Sequence, residues 1–278
     1  MAISTRDQLI YGLLNNSSRI LIDKASIANT AAAQYHSLWR ATGQPGQGAI
    51  PGAAAVCDNT LTGAIGFNQQ VGEATSYLVQ LEALCSIPGT TLELHDRLMH
   101  MGGLNGTLTT GQTVNVDISA NLATANLDAR KGDANYSDVQ WWLEWYTDTG
   151  GTAVTATVNV TYNDGTSGNL TAVSLVATRR ASFMIPLNGL IPAGDSGKFI
   201  RDVNTVTLSA TTGAAGSFGI TATRFRASLF KPLANSKYDK GLDDLNNEIH
   251  NGSCLFLIQL ANATSTGTVR GTGKIIHG

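Results

Sequence analysis

The chain has 278 residues, of which 42% are hydrophobic and only 14% charged, with 30 glycines and a formal net charge of −2. That length buries one large core or two modest ones, and the charged fraction sits well under the roughly 25% usual in soluble domains. A near-neutral balance without a basic run excludes a general nucleic-acid binder, and so weakly charged a surface predicts an outside covered by neighbours.

The longest apolar run, Cys254–Ile258, is far short of the ~18 residues of a membrane span, and Met1–Asp7 lacks the basic-then-hydrophobic pattern of a secretory leader. Three widely spaced cysteines, Cys57, Cys85 and Cys254, read as small hydrophobes in a reducing compartment. Assembly inside a cell is the expectation.

In chain order, Ser4-Thr5-Arg6-Asp7 has the spacing of a capping box with Asp in place of Glu. Leu9, Ile10, Leu13 and Leu14 then follow at helical spacing, predicting a short helix closed by Asn15–Ser18. Arg19–Asp23 and Tyr35–Arg40 read as strands. From Ala41 to Thr75 the pattern dissolves around two prolines, Pro45 and Pro51, and many glycines. A loop that long is usually functional, so an extended arm reaching a neighbouring subunit is expected.

Strand signals then become regular: Tyr77–Cys85, Thr91–Leu98, a Gly-rich turn at Met101–Gly106, and Thr113–Ile118. A weakly patterned polar stretch, Asn121–Asn135, precedes Tyr136–Tyr146, which holds Trp141, Trp142 and Trp145 in one apolar run. Alternation sends Trp141 and Trp145 to one face and Trp142 to the other, so both faces of this strand are expected to be covered. Val154–Tyr162 alternates Val with Thr, and Asn163-Asp164-Gly165 signals a hairpin into Leu170–Leu175. Ala181–Ile185, Thr205–Ser209 and Phe218–Phe225 continue the strands, a polar helical segment is expected near Gly241–Asn246, and Cys254–Leu260 and Gly267–Ile276 close the chain.

This rhythm predicts an all-β fold, an antiparallel, jelly-roll-like β-sandwich with a short N-terminal helix and a long irregular arm. Residues 1–75 would form the helix, first strands and arm, and 76–278 the sandwich, or the two would make one continuous domain.

No constellation carries chemistry. His95, Asp96 and His100 fail as a metal cluster because neighbours on a strand face opposite ways and a zinc site needs three or four convergent ligands. Gly194-Asp195-Ser196-Gly197 superficially matches the nucleophile loop of trypsin-like serine proteases, but Lys198 replaces a glycine and no base can be nominated. Gly271-Thr272-Gly273-Lys274 lacks the spacing of a phosphate loop. No catalytic residue, cofactor or metal is expected, and no enzyme.

Three segments resemble structural proteins of tailed bacteriophages: Ser37–Pro51, Leu94–Leu104 and Trp142–Gly150. The resemblance implies a virion component without assigning catalytic residues. Without a repetitive fibre shaft or a long spine helix, the reading is a capsid decoration (cement) protein that bridges capsomers. It would bind the major capsid protein and itself, as a trimer on the capsid surface, after assembly in the host cytoplasm, with neither nucleic acid nor membrane as partner. Trp39, Arg40, Pro45, Pro51 and Trp142 are the interface candidates. The alternatives are a tail or neck component and a carbohydrate- or receptor-binding β-module.

Overall fold

A computed structural model describes residues 3–70, 75–176, 178–241 and 248–278. It is nearly all β, with antiparallel sheets and one helix of note. In chain order the elements are α1 (Arg6–Asn15), β1 (Ser17–Lys24), β2 (Gln34–Ser37), β3 (Gly43–Gln44), β4 (Ala55–Val56), β5 (Ser76–Cys85), β6 (Thr90–Leu104) and β7 (Gln112–Asp117). After a few helical turns, including α2 (Leu127–Arg130), come β8 (Val139–Thr147), β9 (Val154–Tyr162), β10 (Ser167–Asn169), β11 (Val173–Leu175) and β12 (Phe183–Pro186). The remainder are β13 (Ile200–Leu208), β14 (Ser217–Lys231), β15 (Tyr238–Gly241), β16 (Glu248–Ile249), β17 (Leu255–Ala261) and β18 (Val269–His277). The helix expected near 241–246 lies outside the described residues, apart from Gly241, which ends β15.

The chain divides into two compact units, each assembled from separate stretches. One comprises 1–49, 58–96 and 225–278, and the other 50–57 and 97–224. The expected segment 1–75 therefore contributes to both. Strands β6 and β14 each serve the two units in turn, dividing at Asp96/Arg97 and Arg224/Phe225.

In the first unit the sheet order is β15-β5-β18-β1-β3, with β16 also on β5. Alternation along β1 turns Ile20 and Ile22 inward beside Leu78, Leu81 and Ile275, against Leu92, Leu94, Leu255 and Leu257. Helix α1 is tied down at both ends. Its capping box is shifted by one from the expected pair, because Gln8 rather than Asp7 answers the Thr5 hydroxyl. At the other end Lys274 Nζ donates to the Leu13 carbonyl at 2.5 Å, a cation on the negative end of the helix dipole.

In the second unit, sheet β10-β9-β13-β7, with β11 also on β9, packs its apolar face on β8 and its neighbours. Val158, Val160, Val203 and Val206 meet Trp141, Leu143, Trp145 and Ile220 in this core. Trp145 stacks on Phe218 at a centroid distance of 5.5 Å and meets Phe183 edge-on. Sheet edges are blunt: β3 and β4 have two residues each, β10 and β11 three, and edge strand β7 is bent at Asn115, whose φ is +52°. Short and bent edges resist strand addition from another chain.

The arm is irregular and Gly/Pro-rich as expected, but it packs on its own chain instead of projecting. In the first unit Ala41 and Ile65 join the core, β3 pairs with β1, and Ile65 bridges to Leu255. Lys24 Nζ, buried, donates to the carbonyls of Ala41 (2.9 Å), Pro45 (2.8 Å) and Gly46 (3.4 Å). In the second unit β4 pairs with β6, and Cys57 N–H donates to the Leu98 carbonyl. The glycines explain why sequence suggested reach. A Cβ on Gly48 would fall 2.1 Å from the Trp39 ring, and one on Gly63 2.6 Å, so both glycines serve close packing on an indole.

Residues 42–65 of the isolated chain should accordingly resist limited proteolysis as well as the strands do. Lys24→Ala strands three buried carbonyls, which costs about 2 kcal/mol, and should make 41–49 the first segment cut. Mass mapping of the early fragments reads both outcomes.

Candidate functional site

Four of the five candidate interface residues are buried within the single chain. Trp39 is 1% exposed, lies edge-on to Phe256 at 6.2 Å and donates its indole N–H to Ala49 O at 2.9 Å. Pro45 and Pro51 are buried, and Arg40, half-buried, donates to the Gly48 carbonyl. Trp142 is 3% exposed and donates to Thr223 Oγ1 at 2.9 Å. Trp39, Pro45, Pro51 and Trp142 are thus packed within this chain. Only Arg40 of the five keeps access to solvent; Trp39, Arg40 and Pro45 belong to the first unit, Pro51 and Trp142 to the second.

Alternation along β8 holds. Val139, Trp141, Leu143 and Trp145 enter the apolar core, while Trp142, Glu144 and Tyr146 face the other way and are also buried. That second face carries the densest polar chemistry in the second unit. Arg97 on β6 forks onto Glu144, with Nη2–Oε2 at 2.6 Å and Nη1–Oε1 at 3.3 Å. The same guanidinium reaches Tyr146 Oη at 2.7 Å and Thr221 Oγ1 at 3.1 Å, and its Nε donates to His100 Nδ1 at 2.9 Å. Tyr146 and Thr221 in turn donate to Glu144 Oε2, at 3.1 and 2.5 Å.

Arg97 and Glu144 are both 0% exposed. Burial works against the Arg97 charge, but Glu144 overrides it and holds the guanidinium above its ordinary range. Burial, then the Glu144 charge, push the Tyr146 phenol up, so it stays a hydrogen-bond donor. A fork-on-fork pair with every carboxylate oxygen occupied fixes three strands in register and leaves no reactive group for a substrate.

Arg130 is equally buried and donates to the carbonyls of Cys57 (2.7 Å) and Arg97 (2.9 Å), binding the arm to β6. In the first unit Asp96 accepts from Ser253 Oγ and Cys254 N, both at 2.8 Å, with the Arg226 guanidinium 3.8 Å away. His95 meets Glu93 at 3.0 Å and Phe225 edge-on. The Gly194–Gly197 turn places Asp195 on Lys198 at 2.9 Å, and Gly271–Lys274 lies within β18. Among the described residues no three His, Cys, Asp or Glu side chains come close enough to hold a metal ion, no helix is long and apolar enough to cross a membrane, and no disulfide joins the buried cysteines.

Among the described residues six cations are buried (Lys24, Arg97, Arg130, Lys131, Arg226, Lys231) against three anions (Asp96, Glu144, Asp202).

No protein-family model matches the chain, and no curated protein is similar to it. Among solved structures it is similar to capsid protein VP2 of infectious bursal disease virus in a subviral particle, at 10% identity over 94% of this chain and 79% of that one, with a TM-score of 0.20. The T13 particle of the same virus gives 10% identity over 94% and 76%, with a TM-score of 0.20, and its Gt strain 11% over 95% and 82%, with 0.17. At these TM-scores the likeness says nothing about the fold or role of this chain.

A separate buried group in the first unit gives a pH signature. His36 is 1% exposed and accepts the Ala31 N–H at 3.4 Å, and burial lowers its pKa from 6.5 to about 4. Above pH 6.5 both folded and unfolded forms are neutral there. Between 6.5 and 4 the unfolded chain takes up a proton that the folded chain refuses, so stability falls as pH drops, by about 3 kcal/mol in all. Urea unfolding from pH 7 to 4 should show that loss, and His36→Gln should flatten it. Equal slopes in the two proteins would contradict the assignment.

Proposed function

We propose that this chain is a non-enzymatic structural component of a virus particle, a decoration protein on the capsid surface that bridges subunits of the major capsid protein. The observation that carries the reading is where the charge goes. The chain is poor in charge, and it buries a third of its cations in bonds that lock strands and loops to one another. Such an interior suits a rigid framework, and so lightly charged an exterior suits a protein surrounded by copies and partners. Blunt sheet edges favour contacts through faces and loops over strand addition. The resemblance of three segments to tailed-phage structural proteins supports the same role, with assembly in the host cytoplasm and a trimer as the oligomer that matches a local threefold.

A carbohydrate-binding module is the second reading, favoured by the outward side of β9, β10 and β13. There Asn159, Asn169, Asn204, Thr161 and Ser167 form one uncharged hydrogen-bonded array. A glycan array on the isolated protein separates this reading from the first.

Binding only to the assembled shell stabilises that shell by linkage. Particles lacking the chain should therefore assemble yet release their genome at a lower temperature than complete ones. Hundreds of copies on the head support decoration. Six or twelve at the tail, or equal heat resistance of stripped particles, would overturn it.

A further inference from the structure

On the outward side of the first unit's sheet, two cations face each other across neighbouring strands. Strands β5, β18 and β1 lie side by side, and their registers set Arg19 opposite Lys274 and Lys274 opposite Gln80 in one row. Like charges directly opposed on adjacent strands destabilise a sheet, so the row calls for a negative charge. Among the described residues no acid pairs with either cation. Asp23 is taken by Arg270 at 3.2 Å. Glu82, two residues along β5 from Gln80, is taken by Lys237 at 2.5 Å and meets the row only through Gln80 Nε2 at 3.4 Å.

The two cations are also kept from swinging apart into water. Arg19 Nε donates to Thr272 Oγ1 at 2.8 Å, and that hydroxyl gives its own proton to the Ile20 carbonyl at 2.8 Å. Lys274 Nζ is fixed on the Leu13 carbonyl near the end of α1. Both anchors are neutral oxygens, so neither charge is cancelled, although the negative end of the helix eases that of Lys274. Arg19 is thus held by Nε alone, and its Nη groups bond none of the described residues. Arg19, Lys274, Ser17, Gln80, Thr272 and Gly273 together line a depression of about 410 Å³.

We infer that this depression is an oxyanion site that takes a phosphate or sulfate ester carried on a small molecule such as a sugar. A planar guanidinium presents paired donors that match two oxygens of a tetrahedral anion, and the ammonium supplies a second charge beside it. Ser17 and Gln80 border the same space with a hydroxyl and an amide, which are neutral donors. An anion seated there turns a repulsive pair into two attractions. The depression lies within the roughly 300–1,000 Å³ of ordinary ligand sites, which leaves room for the group that bears the ester. Two cations suit one such group and not the run of phosphates on a nucleic acid.

Isothermal titration and thermal shift of the full chain at constant ionic strength test the site, with glucose 6-phosphate, inorganic phosphate, inorganic sulfate and glucose as probes. Glucose 6-phosphate should bind with a dissociation constant on the order of 1 mM or below and raise the melting temperature. Inorganic phosphate and sulfate should bind more weakly, and glucose not at all. Arg19→Gln should weaken glucose 6-phosphate binding about tenfold or more, with the circular dichroism of the parent. Arg19→Lys, which keeps the charge but loses the fork, should fall between the two. No binding of glucose 6-phosphate at about 20 mM, unchanged binding in Arg19→Gln, or glucose binding as well as its phosphate would overturn the site. Inorganic phosphate binding as tightly as the ester would overturn the assignment to an ester. A DNA duplex binding more tightly than glucose 6-phosphate, and less to Arg19→Gln, would give the cations to nucleic acid and overturn it too. These outcomes are independent of the particle experiment: a chain absent from the head can still hold the anion, and a decoration protein can lack the site.

Discussion

The Arg97–Glu144 pair is the constraint on which the second unit depends. Strand β8 is covered on both faces, so any charge on it must be matched where it stands. Taking an isolated carboxylate out of water costs several kcal/mol, and the Coulomb attraction offsets this only when geometry is good and the remaining hydrogen-bonding capacity is filled. Both conditions are met: the guanidinium forks onto the carboxylate, and Tyr146, Thr221 and His100 occupy further positions around the pair. Because the partners come from β6, β8 and β14, a one-residue slip of β6 or β8 would turn a charge into the apolar core, and a slip of β14 would turn the Thr221 hydroxyl there. The pair therefore specifies register more than it adds stability.

The same economy recurs wherever the backbone is irregular. Lys24 gathers three carbonyls of the arm, and Arg130 gathers carbonyls from the arm and β6. Lys231 reaches the Ala83 carbonyl and lies 4.7 Å from the Tyr238 ring, with burial lowering its pKa to about 8. Loop carbonyls removed from water need donors, and a buried ammonium or guanidinium supplies several at once. Cations used inside are then unavailable outside, where charge is sparse.

Much of the architecture was legible in the sequence because β-sandwiches write their burial in a period of two. The alternation of β9 and β8 gave their faces correctly, including the opposite placement of Trp142 from Trp141 and Trp145. Strand ends were misread where charge or glycine stood inside a strand. β14 runs past Phe225 because Arg226 and Lys231 are buried, and β6 runs through Gly102 because a Cβ there would meet the Pro51 carbonyl at 2.5 Å. The arm was misjudged for the same reason, since glycines that allow an indole to approach look in sequence like glycines that allow a loop to move. One signal for the central pair was present: Glu144 stands among tryptophans, on a strand with no exposed face to put it on. Its partner was not legible, because Arg97 lies 47 residues away and only the fold joins them.

Buried charge holds the framework together, and a double-mutant cycle on Arg97 and Glu144 tests that most directly. Urea unfolding at neutral pH would compare the parent with Arg97→Met, Glu144→Leu and the double variant. Each single change leaves a buried charge without its counterpart and should cost about 3–5 kcal/mol, while the double should lose less than either. Losses that simply add, or single variants as stable as the parent, would show that the pair does not hold the strands together.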